Sequence, residues 1–130
     1  MDDPVDRLLT AVETGTPLPS GLFTPDAALD ATVPNWRFTR HGEAAVREQL
    51  SGWYRDPGRF ESVSRTPLPD GGALVEFTLT WEEGGVPHAC HQVHVLRFEG
   101  SRIAADTMFC GGRWPASLLA DMAAADGAGG

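Results

Sequence analysis

After Asp56-Pro57-Gly58 the hydrophobic period of this chain changes from helical to alternating, and it stays alternating as far as Cys110. Alternation sends every second side chain to the same face of a sheet, so this stretch must bury one face of several strands against a common core. The runs are Phe60 to Thr66, Ala73 to Trp81, Val86 to Phe98 and Arg102 to Cys110. Their connections, Pro67 to Gly72, Glu83-Gly84-Gly85 and the turn at Gly100, are short and rich in turn residues, so they predict antiparallel hairpins.

The earlier part of the chain is different. Val5, Leu8, Leu9 and Val12 fall at helical spacing between Pro4 and Gly15, which predicts a short helix over 4–14. A strand is expected over Ala27 to Val33. After Gly42 a second helix places Ala45, Val46, Leu50, Trp53 and Tyr54 on one side. Trp114 to Ala125 reads as a terminal helix with Pro115 in its first turn. Helices first and hairpins later is an α+β order. No linker divides the chain, so a single domain over 1–126 is expected, with 127–130 as a flexible tail.

A chain of 130 residues with 42% hydrophobic and 22% charged residues can bury one core. Its formal net charge of -8 repels phosphates and anionic lipid, so nucleic-acid and membrane partners are not expected. The acidic start MDDPVDRLLTAVETG and the lack of a long apolar run predict a protein that stays in the cytoplasm. Cys90 and Cys110 do not have zinc-site spacing, and they read as reduced packing thiols.

The segment HACHQVHVLRFEGSRIAADTMFC concentrates the side chains that could carry chemistry on one hairpin. A three-residue loop of Glu99, Gly100 and Ser101 would make paired residue numbers add to 200, setting His94 opposite Asp106, Gln92 beside Met108 and Cys90 beside Cys110. An imidazole and a carboxylate so placed could share a proton, and two thiols so placed should be easily trapped as a disulfide. Periodicity leaves open which face is buried, because Val93, Val95, Ala105 and Phe109 make the other face equally apolar. His88, Cys90 and His94 lie too far apart along a strand to share one ion, so no metal site is expected. His91 belongs to the opposite face.

The leading helix, the strand PDAALDATVP, the helix RHGEAAVREQLSGWY and the hairpin VLRFEGSRI together resemble the SnoaL-like and ketosteroid-isomerase-like branch of the nuclear transport factor 2-like superfamily. The resemblance covers nearly the whole chain. It implies a cone-shaped, strongly curved, mostly antiparallel sheet wrapped around the N-terminal helices, with a short C-terminal helix. It turns Cys90, Gln92, His94 and Leu96 inward, with Ala104, Asp106, Met108 and Cys110 on the partner strand.

In SnoaL-like polyketide cyclases a Gln-x-His pair and an Asp are the polar groups of the pocket, and Gln92, His94 and Asp106 match that pattern. The implied roles are Asp106 as acid/base, His94 as its orienting partner and Gln92 as a donor to developing enolate charge, with no metal or organic cofactor required. Trp36, Cys90, Leu96, Met108 and Cys110 are the expected substrate contacts. Ala31 stands where ketosteroid isomerases place their Asp base, which counts against that mechanism.

Three readings follow. The first is a cofactor-independent cyclase or isomerase acting on a small apolar carbonyl compound such as a polyketide intermediate. The second is a non-catalytic binder of a small apolar or aromatic molecule in the same cone. The third is a scaffold with a filled cone, in which His94 and Asp106 are a satisfied structural pair. Trp53, Tyr54, Phe77 and Trp81 read as core in all three, and Arg113 and Trp114 as a closing segment or surface. The outer sheet face carrying Val93 and Val95 is expected to pair two copies as a homodimer.

Overall fold

The structure, a computed structural model, describes residues 3–129. The elements run α1 (Pro4–Thr14), β1 (Phe23–Val33), β2 (Trp36–His41), α2 (Glu43–Trp53), β3 (Gly58–Pro67), β4 (Ala73–Glu83), β5 (Val86–Glu99), β6 (Arg102–Cys110), β7 (Trp114–Pro115) and α3 (Ala116–Gly129). One curved sheet holds these strands in the order β2-β1-β6-β5-β4-β3, with β7 paired to β5. The pairings are antiparallel except for β1 with β6. The architecture is the α+β arrangement expected from the order of periods. Trp114 and Pro115, expected to open the last helix, pair instead with Ala89 and His88 of β5. α3 continues as helix through 127–129, and Gly130 of the expected tail lies outside the described residues.

α1 is held at both ends. Asp3 caps it by accepting from the Val5 N–H at 2.8 Å, and Pro4 occupies a first-turn position where no helical donor is lost. Gly15 ends it at φ 69°, its N–H donating to the Ala11 carbonyl at 3.0 Å. A Cβ there would sit 2.6 Å from the Pro57 nitrogen, so the helix end and the turn into β3 pack backbone to backbone. Val5, Leu8, Ala11 and Val12 of α1 and Val46 and Leu50 of α2 share one core with the alternating inner positions Ala73, Val75, Phe77, Leu79 and Trp81 of β4.

The Asp3 carboxylate also bonds Arg65 at 2.7 Å, and that guanidinium is the main reason its pKa lies below the usual 3.8. A depressed carboxylate pKa contributes stability above the unfolded-state value, and the contribution is lost as pH falls through the folded one. Asp3→Ala is therefore expected to cost about 1 kcal/mol at neutral pH by urea unfolding. The gap to wild type should close in acid below the ordinary carboxylate pKa.

Trp36, Arg37 and Phe38 belong to strand β2. Pro34-Asn35 is a two-residue reversal with Asn35 at φ 63°, a conformation Asn tolerates, and Val33 pairs with Trp36. Arg37 then clasps Asp30 through two hydrogen bonds, of 3.0 and 2.7 Å.

The β5–β6 hairpin also departs from its expected register. Gly100-Ser101 is a two-residue turn, with Glu99 paired to Arg102 and Phe98 to Ile103. A bulge at Ala104 follows, because Arg97 pairs with Ala105. His94 is thus opposite Met108, Leu96 opposite Asp106, and Gln92 opposite Cys110. The shorter turn moves the register by one residue and the bulge moves it by one more. Beyond the bulge a shift of two keeps Asp106, Met108 and Cys110 on their expected face, whereas before it Ile103 turns into the core and Ala104, expected to face inward, is the bulged residue.

Candidate functional site

On β5 the buried inner positions are Cys90, Gln92, His94 and Leu96, and on β6 they include Asp106 and Met108, so the inner face is the one carrying the polar groups. His94 and Asp106 are diagonal neighbours, a separation that long side chains bridge. Their Nδ1 and Oδ2 atoms are 2.7 Å apart, and each side chain is 1% exposed. The imidazole lies against Phe77, with ring centroids 5.6 Å apart and planes 20° from parallel.

Beyond the imidazole the chain of hydrogen bonds continues. His94 Nε2 is 3.1 Å from Gln92 Oε1 and 3.3 Å from the Tyr54 hydroxyl. That hydroxyl itself donates to Gln92 Oε1. The Gln92 amide nitrogen donates to Cys110 Sγ at 3.4 Å. Both imidazole nitrogens thereby face oxygen acceptors, Asp106 on one side and Gln92 on the other. A ring held in this way can release or take up a proton at Nε2 while Asp106 keeps Nδ1 in place. Burial, above all, holds the Tyr54 phenol well above its ordinary pKa, so it remains an O–H donor.

Asp106 Oδ1 has no hydrogen-bond partner among the described residues. A buried carboxylate oxygen left so is destabilising, and a well-packed apolar pair of similar volume would fold as well or better.

Tyr54 is the site residue that sequence reasoning missed. It lies just past the end of α2 on the apolar side of that helix, where an aromatic reads as core. The available signal was its hydroxyl, which needs a partner when buried, together with the inward-facing Gln92 and His94.

Two small cavities adjoin these groups. One, of about 130 Å³, is lined by Val33, Pro34, Trp53, Gln92, Cys110, Gly112 and Arg113. The other, of about 20 Å³, is lined by Trp53, Tyr54, Asp56, Leu79, Trp81, Cys90 and Gln92. Gln92 and Trp53 contribute to both. A wider groove of about 730 Å³, along residues such as Gly58, Trp81, His88 and Leu119, holds none of the linked polar groups.

Several expected contacts change accordingly. His94 and Asp106 face inward but line neither cavity, and Gln92, Tyr54 and Phe77 pack around His94. Leu96 and Met108 are fully buried core. Trp36 is 67% exposed and lines neither cavity. Gln92, Cys90 and Cys110 do line them, and Trp53 joins these residues. Arg113 reaches the cavity edge while bonding Glu83 and lying over the Trp81 ring at 5.2 Å. His88 stacks on Trp81, and His91 bonds Glu76 and Thr78. Among the described residues no helix is long and apolar enough to cross a membrane.

The same arrangement of strands and helices recurs in solved structures. A candidate polyketide cyclase of Pseudomonas putida matches with a TM-score of 0.62 at 20% identity, over 81% of this chain and 86% of its own. A candidate isomerase of Bacillus subtilis matches at 0.67 and 13%, over 83% and 84% of the two chains. A nuclear transport factor 2-like protein of Burkholderia xenovorans matches at 0.59 and 12%, over 84% and 80%. The chain has the nuclear transport factor 2-like fold.

At such identities the shared property is the fold, and one fold hosts unrelated activities. No protein-family model matches the chain. By sequence, orotidine 5'-phosphate decarboxylase of Haloarcula marismortui is 30% identical over 113 residues, which is 79% of this chain. The chain spans 40% of the length of that curated relative. Within the nuclear transport factor 2-like cone, the inner face of β5 and β6 and the end of α2 together build the polar cluster described above.

Proposed function

We propose that this protein is a cofactor-independent isomerase or cyclase that moves a proton on a small apolar carbonyl compound. The observation that carries this reading is the unbroken series of hydrogen bonds from Asp106 through His94 to Tyr54 and Gln92, the last two on cavity walls. Gln92 donates to the substrate oxygen, and the Tyr54 oxygen, reached through the adjoining smaller cavity, takes the α-proton as its own O–H proton passes to His94 Nε2. The phenol thus stays protonated, the C–H pair becomes the enolate, return of the proton reverses the path, and Asp106 holds the imidazole. These roles depart from those the resemblance implies, because the base is now the imidazole and Asp106 is its positioning residue. The reason is order along the hydrogen bonds: His94 stands between Asp106 and the cavity-lining Tyr54 and Gln92.

The cavity size narrows the substrate. A space of about 130 Å³ accommodates one ring, comparable to a cavity of about 150 Å³ that takes up benzene in an engineered protein. A monocyclic ketone fits this reading, and a fused polycyclic polyketide does not. We also propose a homodimer through the outer sheet face, supported by the exposed Phe109 beside the half-buried Val93 and Val95.

Non-catalytic binding is the second reading, favoured by the burial of His94 and Asp106. The test is solvent-deuterium incorporation at the α-carbon of cyclohexanone, beside ligand-observed NMR for binding. Exchange catalysed by wild type and lost in Tyr54→Phe supports the enzyme. Saturable binding with no exchange supports the binder, and neither binding nor exchange across single-ring ketones overturns both.

A further inference from the structure

Two polar side chains other than the free thiol of Cys110 line the larger cavity, and both present donors to it. The Gln92 carbonyl oxygen is taken up by the Tyr54 hydroxyl and His94, so the amide nitrogen is what that side chain offers, with one bond of 3.4 Å to Cys110 Sγ. The second is Arg113, the one charged residue on that wall among the described residues. Cys110 itself pairs with Gln92 and leaves Cys90 on the diagonal, so the directly opposed pairing that would ready a disulfide does not form.

Arg113 is set in place by its surroundings. The Gly111 N–H donates to the His91 carbonyl at 3.0 Å and Trp114 pairs with Ala89, so the short link that carries Arg113 is fixed at both ends. Gly112 within it takes φ 133°, and a Cβ there would lie 2.8 Å from the Trp114 indole nitrogen. The guanidinium comes to rest over Trp81, 5.2 Å from the ring centroid. Glu83 Oε1 accepts from Arg113 Nη2 and, at 2.9 Å, from the Trp81 indole N–H. A guanidinium carries five N–H donors, and Glu83 is the one acceptor for it among the described residues. The Glu83 contact explains a clasp between β4 and this link, but not a cation with free donors on the wall of a largely apolar cavity.

We propose that the ring bound in the larger cavity carries a carboxylate, and that Arg113 is the residue that selects it. The inference rests on the proposed function, in which Gln92 donates to the ketone oxygen. A wall with two donors suits a ligand with two acceptors, the ketone oxygen at Gln92 and the carboxylate at Arg113. The substrate class is then a monocyclic keto acid whose ring is apolar between those groups. The reverse placement is disfavoured, because Asp56 lines the smaller cavity beside Tyr54 and repels an anion there.

The size of the effect follows from the charge and its exposure. A guanidinium fork holds a carboxylate through short, charge-assisted hydrogen bonds, each worth roughly tenfold to a hundredfold in binding when water is excluded. The Arg113 side chain is 47% exposed and Glu83 already shares its charge, so solvent and the neighbouring anion both weaken the attraction. The expected preference for an anionic over a neutral ligand of the same shape is therefore at the low end, about tenfold.

The experiment offers the intact protein the 3-oxo and 4-oxo isomers of cyclohexanecarboxylate, each beside its carboxamide, which has nearly the same shape and no charge. Binding is read by ligand-observed NMR titration, and turnover by solvent-deuterium incorporation next to the ketone. At least one acid is expected to bind about tenfold more tightly than its amide, and the preference should shrink in roughly 0.5 M salt. In Arg113→Gln the acid-to-amide ratio should fall toward unity, and the ratio cancels any general loss of binding in the variant. Equal binding of acid and amide, a preference for the amides, no binding of any of the four compounds, or a preference that survives in folded Arg113→Gln overturns the proposal. The wild-type comparison needs no variant to fold. Preferential binding of an acid without deuterium incorporation supports the Arg113 site and sinks the proton relay. Exchange of cyclohexanone without any preference for an acid supports the relay and sinks the Arg113 site.

Discussion

Asp106→Asn is expected to lower the rate of ketone α-proton exchange by about 10²–10⁴ while leaving the urea midpoint close to wild type. The amide oxygen can still accept from His94 Nδ1, so the contact of 2.7 Å survives in shape. What disappears is the negative charge that stabilises the imidazole each time Nε2 gains a proton. His94→Gln should fall in the same range, because it removes the exchanging nitrogen itself.

Asp106→Leu separates chemistry from folding. It removes one member of a pair in which both side chains are 1% exposed, and it strands an imidazole packed against Phe77 and Tyr54. Breaking such a pair costs about 3–5 kcal/mol when an uncompensated charge remains, read as a shift of the denaturant midpoint. An unchanged exchange rate in a well-folded Asp106→Asn variant would remove the relay from the mechanism.

Phe77→Ala is expected to cost about 3–5 kcal/mol in urea unfolding. Phe77 is 1% exposed in the middle of β4 and meets three other rings, with centroids 5.1 Å from Phe60, 6.5 Å from Tyr54 and 5.6 Å from His94. Truncation removes a large buried side chain and leaves a void beside two polar groups. Water entering that void would compete for His94, so ketone exchange should fall by more than the unfolded fraction explains. Phe77→Leu fills most of the space, and its cost should stay below about 2 kcal/mol. A cost for Phe77→Ala of about 1 kcal/mol or less would show instead that the core collapses around the gap.

The order of elements apart from β2 and β7, and the partition of β5 and β6 into two faces, were legible in the sequence. Both rest on local properties: period separates helix from strand, and alternation assigns Gln92, His94 and Asp106 to a shared side whichever of two like-parity registers forms. Which side faced the core was not legible from period, because Val93, Val95 and Phe109 are as apolar as the inner set; the resemblance supplied it, and burial agrees.

Register, access and the fourth polar group were decided only by the tertiary structure. A two-residue turn and a bulge at Ala104 set which residues pair, and neither carries an unambiguous mark in the residue string. Tyr54 joins the site across 38 residues to Gln92 and 40 to His94, contacts that exist only once α2 closes over the sheet. The same closure packs Trp53, Tyr54 and Phe77 into the cone, leaving about 130 Å³ beside Gln92 and Cys110 and sealing Asp106 from it. How much space remains in a core depends on how side chains from distant elements interlock, and that volume is not a property of any segment alone.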